Sequence, residues 1–307
     1  MLDLRRLRVL SEVARQGSLS AAARALSYTQ PAVSHHMARL EEEVGTALIT
    51  RLGRGVRLTD AGQALVEHAN AILSRVDAAE EEVAAIAGLS GGSVRLAAFP
   101  SASATLVPRA IGRLKQQHPD VRFSLTETEP PEALALLRAG ECDVALVFEY
   151  PTVAVDEGAD FVKLPLLDEP LYLVLPDTHR FASSPSVSLR KLKRETWIAG
   201  CPRCRRHLLH ACEEAGFEPA IAVAIDDYVA TQSLVAAGLG ITLLPALALT
   251  AFRHPNTIIR SLSRGRVRAI SAVVPASSRR PPAITEALKA FQEAASRLDL
   301  GVDALPN

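Results

Sequence analysis

Aromatic side chains make up only 4% of this 307-residue chain, so a cleft that stacks a large planar ligand is not indicated. No apolar run reaches the ~18 residues of a membrane-crossing helix. Met1-Leu2-Asp3-Leu4-Arg5 leads into a charged amphipathic segment rather than the apolar core of an export signal. The expectation is a cytoplasmic protein with no membrane partner. The four cysteines are expected as thiols in such a reducing compartment. Lysine is scarce, 5 against 29 arginines, a bias that genome composition explains as well as function does. A GxSxG elbow between a strand and a helix, GxxxxGK[ST], HExxH and a GxGxxG after a strand are all missing, the one GxSxG spacing, Gly88 to Gly92, lying in a glycine-rich stretch instead; with them go the usual marks of hydrolases, NTPases, zincins and dinucleotide enzymes. The chain is expected not to be an enzyme.

What is present is concentrated near the amino terminus. Ser18 to Leu40, SLSAAARALSYTQPAVSHHMARL, predicts two short helices joined by a tight turn. Ser18 or Ser20 supplies the first cap, and Thr29 caps a second helix with Pro31 in its first turn, where the missing N–H costs little. Val33, Met37, Leu40 and Val44 recur at helical spacing as its inward stripe, and Gly45 stops it. Gln30, Pro31, Ser34, His35 and Ala38 then face outward on a short-chained surface that suits a DNA major groove. A plain helical hairpin with a solvated outer face is the competing reading. Leu4, Leu7, Leu10, Val13 and Ala14 predict a first helix that completes a three-helix core. RLGRGVRLT, residues 51–59, predicts a two-stranded wing carrying Arg51, Arg54 and Arg57 toward phosphates or the minor groove. Residues 1–60 hold nine Arg, no Lys and six Asp/Glu, a balance of +3 against −3 for the remainder. A weakly basic head on a weakly acidic body fits a DNA-binding module joined to a partner domain.

The order SLSAAARAL, Gln30-Pro31-Ala32-Val33-Ser34, Leu40-Glu41, Gly45, Leu58-Thr59-Asp60-Ala61-Gly62 resembles the winged helix-turn-helix head of LysR-type transcriptional regulators. The resemblance implies base contacts from Gln30, Pro31 and Ser34, and backbone or adjacent-groove contacts from Arg39, Arg51 and Arg54; His35 joins the DNA-facing set through its place on the outward face alone. The chain departs from that pattern at His35-His36, which bears on base preference, and at Ile49, where a phenylalanine is usual.

Leu65, Ala69, Ile72, Val76, Ala79, Val83 and Ile86 are spaced 4, 3, 4, 3, 4, 3. That is a coiled-coil seam on a helix about 40 Å long, and it asks for a partner helix. Residues 59–88 are therefore expected to be a dimerisation linker after a head at 1–60. A single helix packed on its own domain is the alternative.

From Ser93 onward strands (94–99, 121–126, 143–148, 171–175, 196–199, 221–224 and 268–274) and helices (103–117, 132–139, 205–215, 228–237 and 284–298) alternate, which predicts a parallel sheet clothed by helices. The length favours two lobes within 93–307: lobe I from 93–164 with 267–307, and lobe II from 165–266, crossing near Leu164-Pro165 and Gly265-Val267. This array is similar to the effector-binding region of LysR-type regulators, which shares its fold with periplasmic solute-binding proteins. The fold class is therefore α/β with a winged-helix head, a long linker helix and a two-lobed effector domain. Ser101 and Ser103 after the first strand, Thr128, Phe148, Cys201 and Thr231 stand at strand ends and helix starts, where such sheets bind small molecules. Plain helix capping explains Ser101, Ser103 and Thr231 equally well one by one. A solute-binding protein of a transporter is the competitor from another class, and it would need export.

Cys201-Pro202-Arg203-Cys204-Arg205-Arg206-His207 leaves three readings open. It is a loop at the lip of the cleft, where its arginines suit an anionic effector. It is a redox pair whose thiolate is favoured by nearby cations. Or it is a zinc site of Cys201, Cys204 and His207, although a second paired motif is missing. Altogether the chain reads as a homodimeric or homotetrameric regulator of double-stranded promoter DNA. It would respond to a small-molecule co-inducer, need no resident cofactor, and act with RNA polymerase as a further partner.

Overall fold

The computed structural model describes residues 1–52, 55–86, 91–151, 160–276 and 280–301. The head begins with α1 (Leu4–Gln16), capped by the Asp3 carboxylate, which accepts from the N–H groups of Arg5 and Arg6. Next come α2 (Leu19–Ala25), capped by Ser18, and α3 (Gln30–Val44), capped by Thr29 and ended by Gly45. The wing is β1 (Ile49–Leu52) paired antiparallel with β2 (Gly55–Leu58). Leu7, Leu10, Val13, Ala22, Val33, Met37, Leu40 and Leu48 form one buried cluster. The Glu41 carboxylate fastens the wing to α3 by accepting from the N–H groups of Leu48 and Ile49 at 2.8 and 3.2 Å.

The linker helix α4 (Asp60–Ile86) starts at Thr59, whose hydroxyl accepts from the Gly62 N–H and donates to the Ala47 carbonyl. Any side chain at Gly62 would run into the Leu48 carbonyl, which is why a glycine follows Thr59-Asp60-Ala61. The predicted seam divides in two. Ala69 is buried and Leu65 half-buried against the head cluster, whereas Ile72 and Val83 are 40% and 66% exposed. The first heptad belongs to the head, and the open stripe begins at Ile72.

The remainder carries β3 (Ser93–Ala98), α5 (Pro100–Ala104), α6 (Leu106–Gln117), β4 (Arg122–Glu127), α7 (Pro130–Arg138), β5 (Val144–Glu149) and the long β6 (Phe161–Pro176). After these come β7 (Ser186–Val187), β8 (Thr196–Ala199), α8 (Pro202–Glu214), β9 (Ala220–Ala224), α9 (Tyr228–Ala236) and β10 (Thr242–Pro245). The chain closes with α10 (Ala246–Ala251), β11 (Thr257–Leu262), β12 (Arg266–Pro275) and α11 (Pro282–Ser296). The sheet order is β4-β3-β5-β12-β6-β11-β7, with β10 also on β6.

Two expectations are corrected here. The sheet is mixed rather than parallel, because β12 returns antiparallel to both β5 and β6. The single helix expected over 103–117 breaks at Thr105, whose hydroxyl donates to the Ser101 carbonyl at 2.6 Å and leaves α5 and α6 as separate pieces.

The stretch around Leu164-Pro165 lies inside β6, where the β6/β12 register shifts as Pro165 pairs with Ser271 and Leu167 with Ile270. A proline has no N–H to give a ladder, and the bulge sits there. The first part of β6 pairs with β12 and its last residues with β10 and β11. One continuous strand thus passes from one lobe's core, around Leu96, Phe148 and Phe291, to the other's, around Leu173, Trp197 and Leu208. Among the described residues no helix is long and apolar enough to cross a membrane.

Candidate functional site

The head presents α3 with Val33, Met37 and Leu40 buried and Gln30, Pro31, His35, Ala38 and Arg39 exposed. Ser34 is half-buried, and the Gln30 amide donates to its hydroxyl at 2.9 Å, so these two polar groups share one patch a turn apart. The Arg39 guanidinium is held by Glu42 at 2.6 Å with both side chains exposed. His36 stacks on Tyr28, ring centroids 5.8 Å apart, which leaves His35 as the histidine on the outer face. Arg51 belongs to β1, its side chain outside the described parts, and Arg54 lies outside the described residues.

Between the lobes, Arg268 and Glu169 are both completely buried. Arg268 Nε donates to Glu169 Oε2 at 2.6 Å and its Nη2 to Ser101 Oγ at 2.7 Å, while its Nη1 is buried without a partner among the described residues. Glu169 Oε1 accepts from the Leu247 N–H at the start of α10 at 2.6 Å. The guanidinium also lies over the rings of Phe148 at 4.4 Å and Phe99 at 5.0 Å. One ion pair therefore ties β12, β6, α5 and α10 together at the lobe junction.

Beside it, the Cys201 thiol donates to Cys204 Sγ at 2.9 Å, and Tyr150 Oη donates to the same sulfur at 3.4 Å. Cys201 is the N-cap of α8, its sulfur accepting from the Cys204 N–H. The Cys201 hydrogen bond, aided by Arg268 and Tyr150, holds Cys204 below the usual thiol range, and giving that hydrogen bond raises Cys201. Burial pushes the Cys142 and Cys212 thiols up to about 12. Burial also raises the Glu129 carboxyl, whose Oε2 has no partner among the described residues. Burial, then Arg266, lowers His207 to about 4, so it is a neutral ring stacked on Tyr150 at 4.1 Å, both nitrogens without a partner among the described residues. Glu129, Tyr150, Cys201, Cys204 and His207 border a cavity of about 30 Å³, the space of a single water.

Of the six residues expected in the cleft, Cys201 alone borders this cavity. Ser101 and Phe148 are gathered instead around Arg268. Ser103 donates to the Ala98 carbonyl, the Thr128 N–H donates to the same carbonyl, and Thr231 is buried in the first turn of α9. Cys201, Cys204 and His207 are neighbours, yet among the described residues no three His, Cys, Asp or Glu groups converge as a metal site. Sequence reasoning missed Arg268, Glu169, Glu129 and Tyr150. Arg268 carried a signal, since it shares strand parity with Ile270, Ala272 and Val274, all buried.

Comparison with known proteins accounts for both halves. Residues 4–63 match the bacterial regulatory helix-turn-helix protein family of lysR type, and residues 87–296 the LysR substrate binding domain. The transcriptional dual regulator GltC of Bacillus subtilis is 30% identical over 80% of this chain and 81% of its own. The hydrogen peroxide-inducible genes activator of Escherichia coli O157:H7 is 29% identical over 84% of each. A full-length OxyR variant from Pseudomonas aeruginosa superposes with a TM-score of 0.78 at 22% identity, covering 98% of this chain and 97% of that one, a likeness of fold. With both of its domains matched in order, the chain belongs to the LysR family of DNA-binding transcriptional regulators that carry an effector-binding domain.

Proposed function

We propose that two or four copies of this chain bind an interrupted palindrome in promoter DNA, each placing α3 in the major groove. The observation that carries the reading is the division of α3 itself. Its inner side is fully buried, and Gln30, Pro31, Ser34 and His35 stand together on the other side, short enough for a backbone to approach. Arg39, Arg51 and Arg54 then address phosphates and the neighbouring groove. Exposed Ile72 and Val83 on α4 support pairing through the linker helices. The assembly works in the cytoplasm, and its bound form acts on RNA polymerase at the adjacent promoter.

The effector domain biases the heads by preferring one arrangement of the assembly over another. A specific observation favours thiol chemistry as the input: two sulfurs 2.9 Å apart, one held toward thiolate, at a cavity that admits only a water-sized molecule. The Cys204 thiolate attacks one oxygen of hydrogen peroxide. The O–O bond breaks, and the leaving oxygen takes a proton from the buried Glu129 carboxyl or solvent, giving water and a Cys204 sulfenic acid. The Cys201 sulfur then displaces water from that sulfenic acid, its own proton leaving with the hydroxide, and a disulfide closes. Two thiols are oxidised and one peroxide is reduced. The relative named as a hydrogen peroxide-inducible activator supports this input.

The test is a footprint of the purified protein on its own upstream DNA with reductant, hydrogen peroxide or chelator present. An interrupted palindrome protected differently with and without peroxide is expected. No protection under any condition would overturn the DNA reading, and protection that responds only to chelator would replace the thiol input with a metal.

A further inference from the structure

The cleft holds little more than one water, but a pocket of about 350 Å³ opens elsewhere, between the linker helix α4 and lobe I. That volume is within the range of small-molecule sites. We propose that this junction is a second effector site, for a small organic carboxylate with an apolar body.

The walls are made by Ala71 of α4, Leu137 of α7, Phe161 of β6, Val274 of β12, and Pro281 and Ile284 at the start of α11. They leave an apolar slot with cations at its edge. Arg75 is exposed on α4, Arg138 ends α7, and Arg280 Nε is buried with no partner among the described residues. The acidic lining groups are Asp143 and Asp160. Asp143 is already neutralised by Arg95, at 2.6 Å, which leaves Asp160 facing Arg75 and Arg280. A buried guanidinium N–H without an acceptor is costly, and a carboxylate removes that cost with a charge-assisted hydrogen bond.

The position gives the ligand a lever. Gly140 has φ +69, and a side chain there would meet the Asn70 carbonyl and the Ser74 side chain of α4 at 2.9 and 2.8 Å, so lobe I seats directly on the linker helix. Arg95 Nη2 donates to Ser74 Oγ at 3.2 Å, and Asn70 Nδ2 donates to Glu141 at 3.2 Å. A ligand bridging Arg75 and Arg280 joins α4 to the two segments that flank this seat. It would thereby favour one angle between lobe I and the helix that carries the heads. This consequence for DNA rests on the regulator reading above, whereas ligand binding itself does not.

The test is titration calorimetry of the full-length protein with phenylacetate and hexanoate, and with their neutral amides as controls. Binding of the carboxylates is expected at least tenfold tighter than that of the amides. Arg75→Gln, a change at an exposed position, is expected to weaken it about tenfold, Arg280→Gln by more, and Ala71→Trp, which fills the slot, to remove it. Ser101→Ala, beside Arg268 at the lobe junction, and Cys201→Ser, at the cleft cavity, are expected to leave it unchanged. Failure of both carboxylates to bind, equal binding of the amides, or loss in these two variants with retention in Ala71→Trp would overturn the site. A footprint with and without phenylacetate separates the two readings. Binding with the expected variant pattern but no protected DNA leaves the pocket standing and removes the regulator, and the reverse pattern removes the pocket alone.

Discussion

Arg268 and Glu169 form a 2.6 Å ion pair in which neither side chain reaches solvent, on two strands that pair across the lobe junction. Taking both charges out of water is expensive, and their attraction plus the bonds to Ser101 and Leu247 roughly offsets that cost. Removing one partner leaves the other charge buried alone. Arg268→Met or Glu169→Gln is therefore expected to lower stability by about 3–5 kcal/mol, and the double change Arg268→Met with Glu169→Leu to recover most of it. Urea unfolding of the full chain measures this. A double variant as unstable as the sum of the singles would show that the two side chains act separately.

That pair also marks where the sequence stops being legible. The head was readable because each of its devices is local: Thr29, Pro31 and Gly45 bracket α3, and Val33, Met37 and Leu40 repeat at helical spacing. The linker helix was readable for the same reason, though not the use of Leu65 and Ala69 by the head, which depends on α1 packing back on α4. The cleft depends on contacts between residues far apart in the chain. Ser101, Glu169 and Arg268 meet only because β12 returns between β5 and β6. The strand β10 is hidden in the sequence because Thr242–Pro245 is short and runs straight into α10. Cys201 and Cys204 stand three residues apart and are legible together, whereas Tyr150 and Glu129, which bear on their chemistry, lie more than fifty residues away in the chain.

The thiols differ in kind. Cys142 and Cys212 are buried and held protonated, whereas Cys204 is favoured as thiolate beside Cys201. One equivalent of hydrogen peroxide should lower the count of titratable thiols, four in the reduced denatured protein, by two. Cys204→Ser should abolish this loss, while Cys142→Ser should still lose two. Peptide mapping that places the disulfide at Cys212 would refute the pairing.

His207 should make stability depend on pH. Its ring resists protonation until about pH 4 in the folded chain, whereas an unfolded histidine takes the proton near pH 6.5. Between those values the unfolded state binds more protons, so stability falls as pH falls, by at most roughly 3 kcal/mol. His207→Phe keeps a ring on Tyr150 and removes the titration. The difference between variant and wild type isolates this group from every other. Parallel stability curves from pH 7 to pH 4 would show that His207 is not the source.

The two classes of head residue should separate by salt. Gln30→Ala with Ser34→Ala is expected to lower affinity for operator while sparing random DNA, because hydrogen bonds to base edges carry the discrimination. Arg39→Gln is expected to weaken both and to reduce the slope of log affinity against log salt by about 0.9. In the free protein Arg39 is already paired with Glu42, so Glu42→Gln should strengthen binding to both DNAs. Fluorescence anisotropy at several salt concentrations reads all three. Equal losses on operator and random DNA from the Gln30 and Ser34 changes would remove α3 as the reading helix.

Ile72 tests the linker. It is 40% exposed at the point where the apolar stripe leaves the head, and Val83, eleven residues on, is 66% exposed. In an isolated chain that surface meets water; against a second α4 it is covered, and the 4,3 spacing keeps the stripe in register with an identical helix. A lysine at Ile72 would bring like charges together across a two-fold pairing, while a lysine at the exposed, off-stripe Gln63 would not. Ile72→Lys should halve the mass seen by light scattering, or reduce a tetramer to a smaller species, and Gln63→Lys should leave it unchanged. The head core, to which Ile72 does not belong, should remain intact, so the variant's circular dichroism should match wild type. Unchanged mass would assign the stripe to something other than a second copy of the chain.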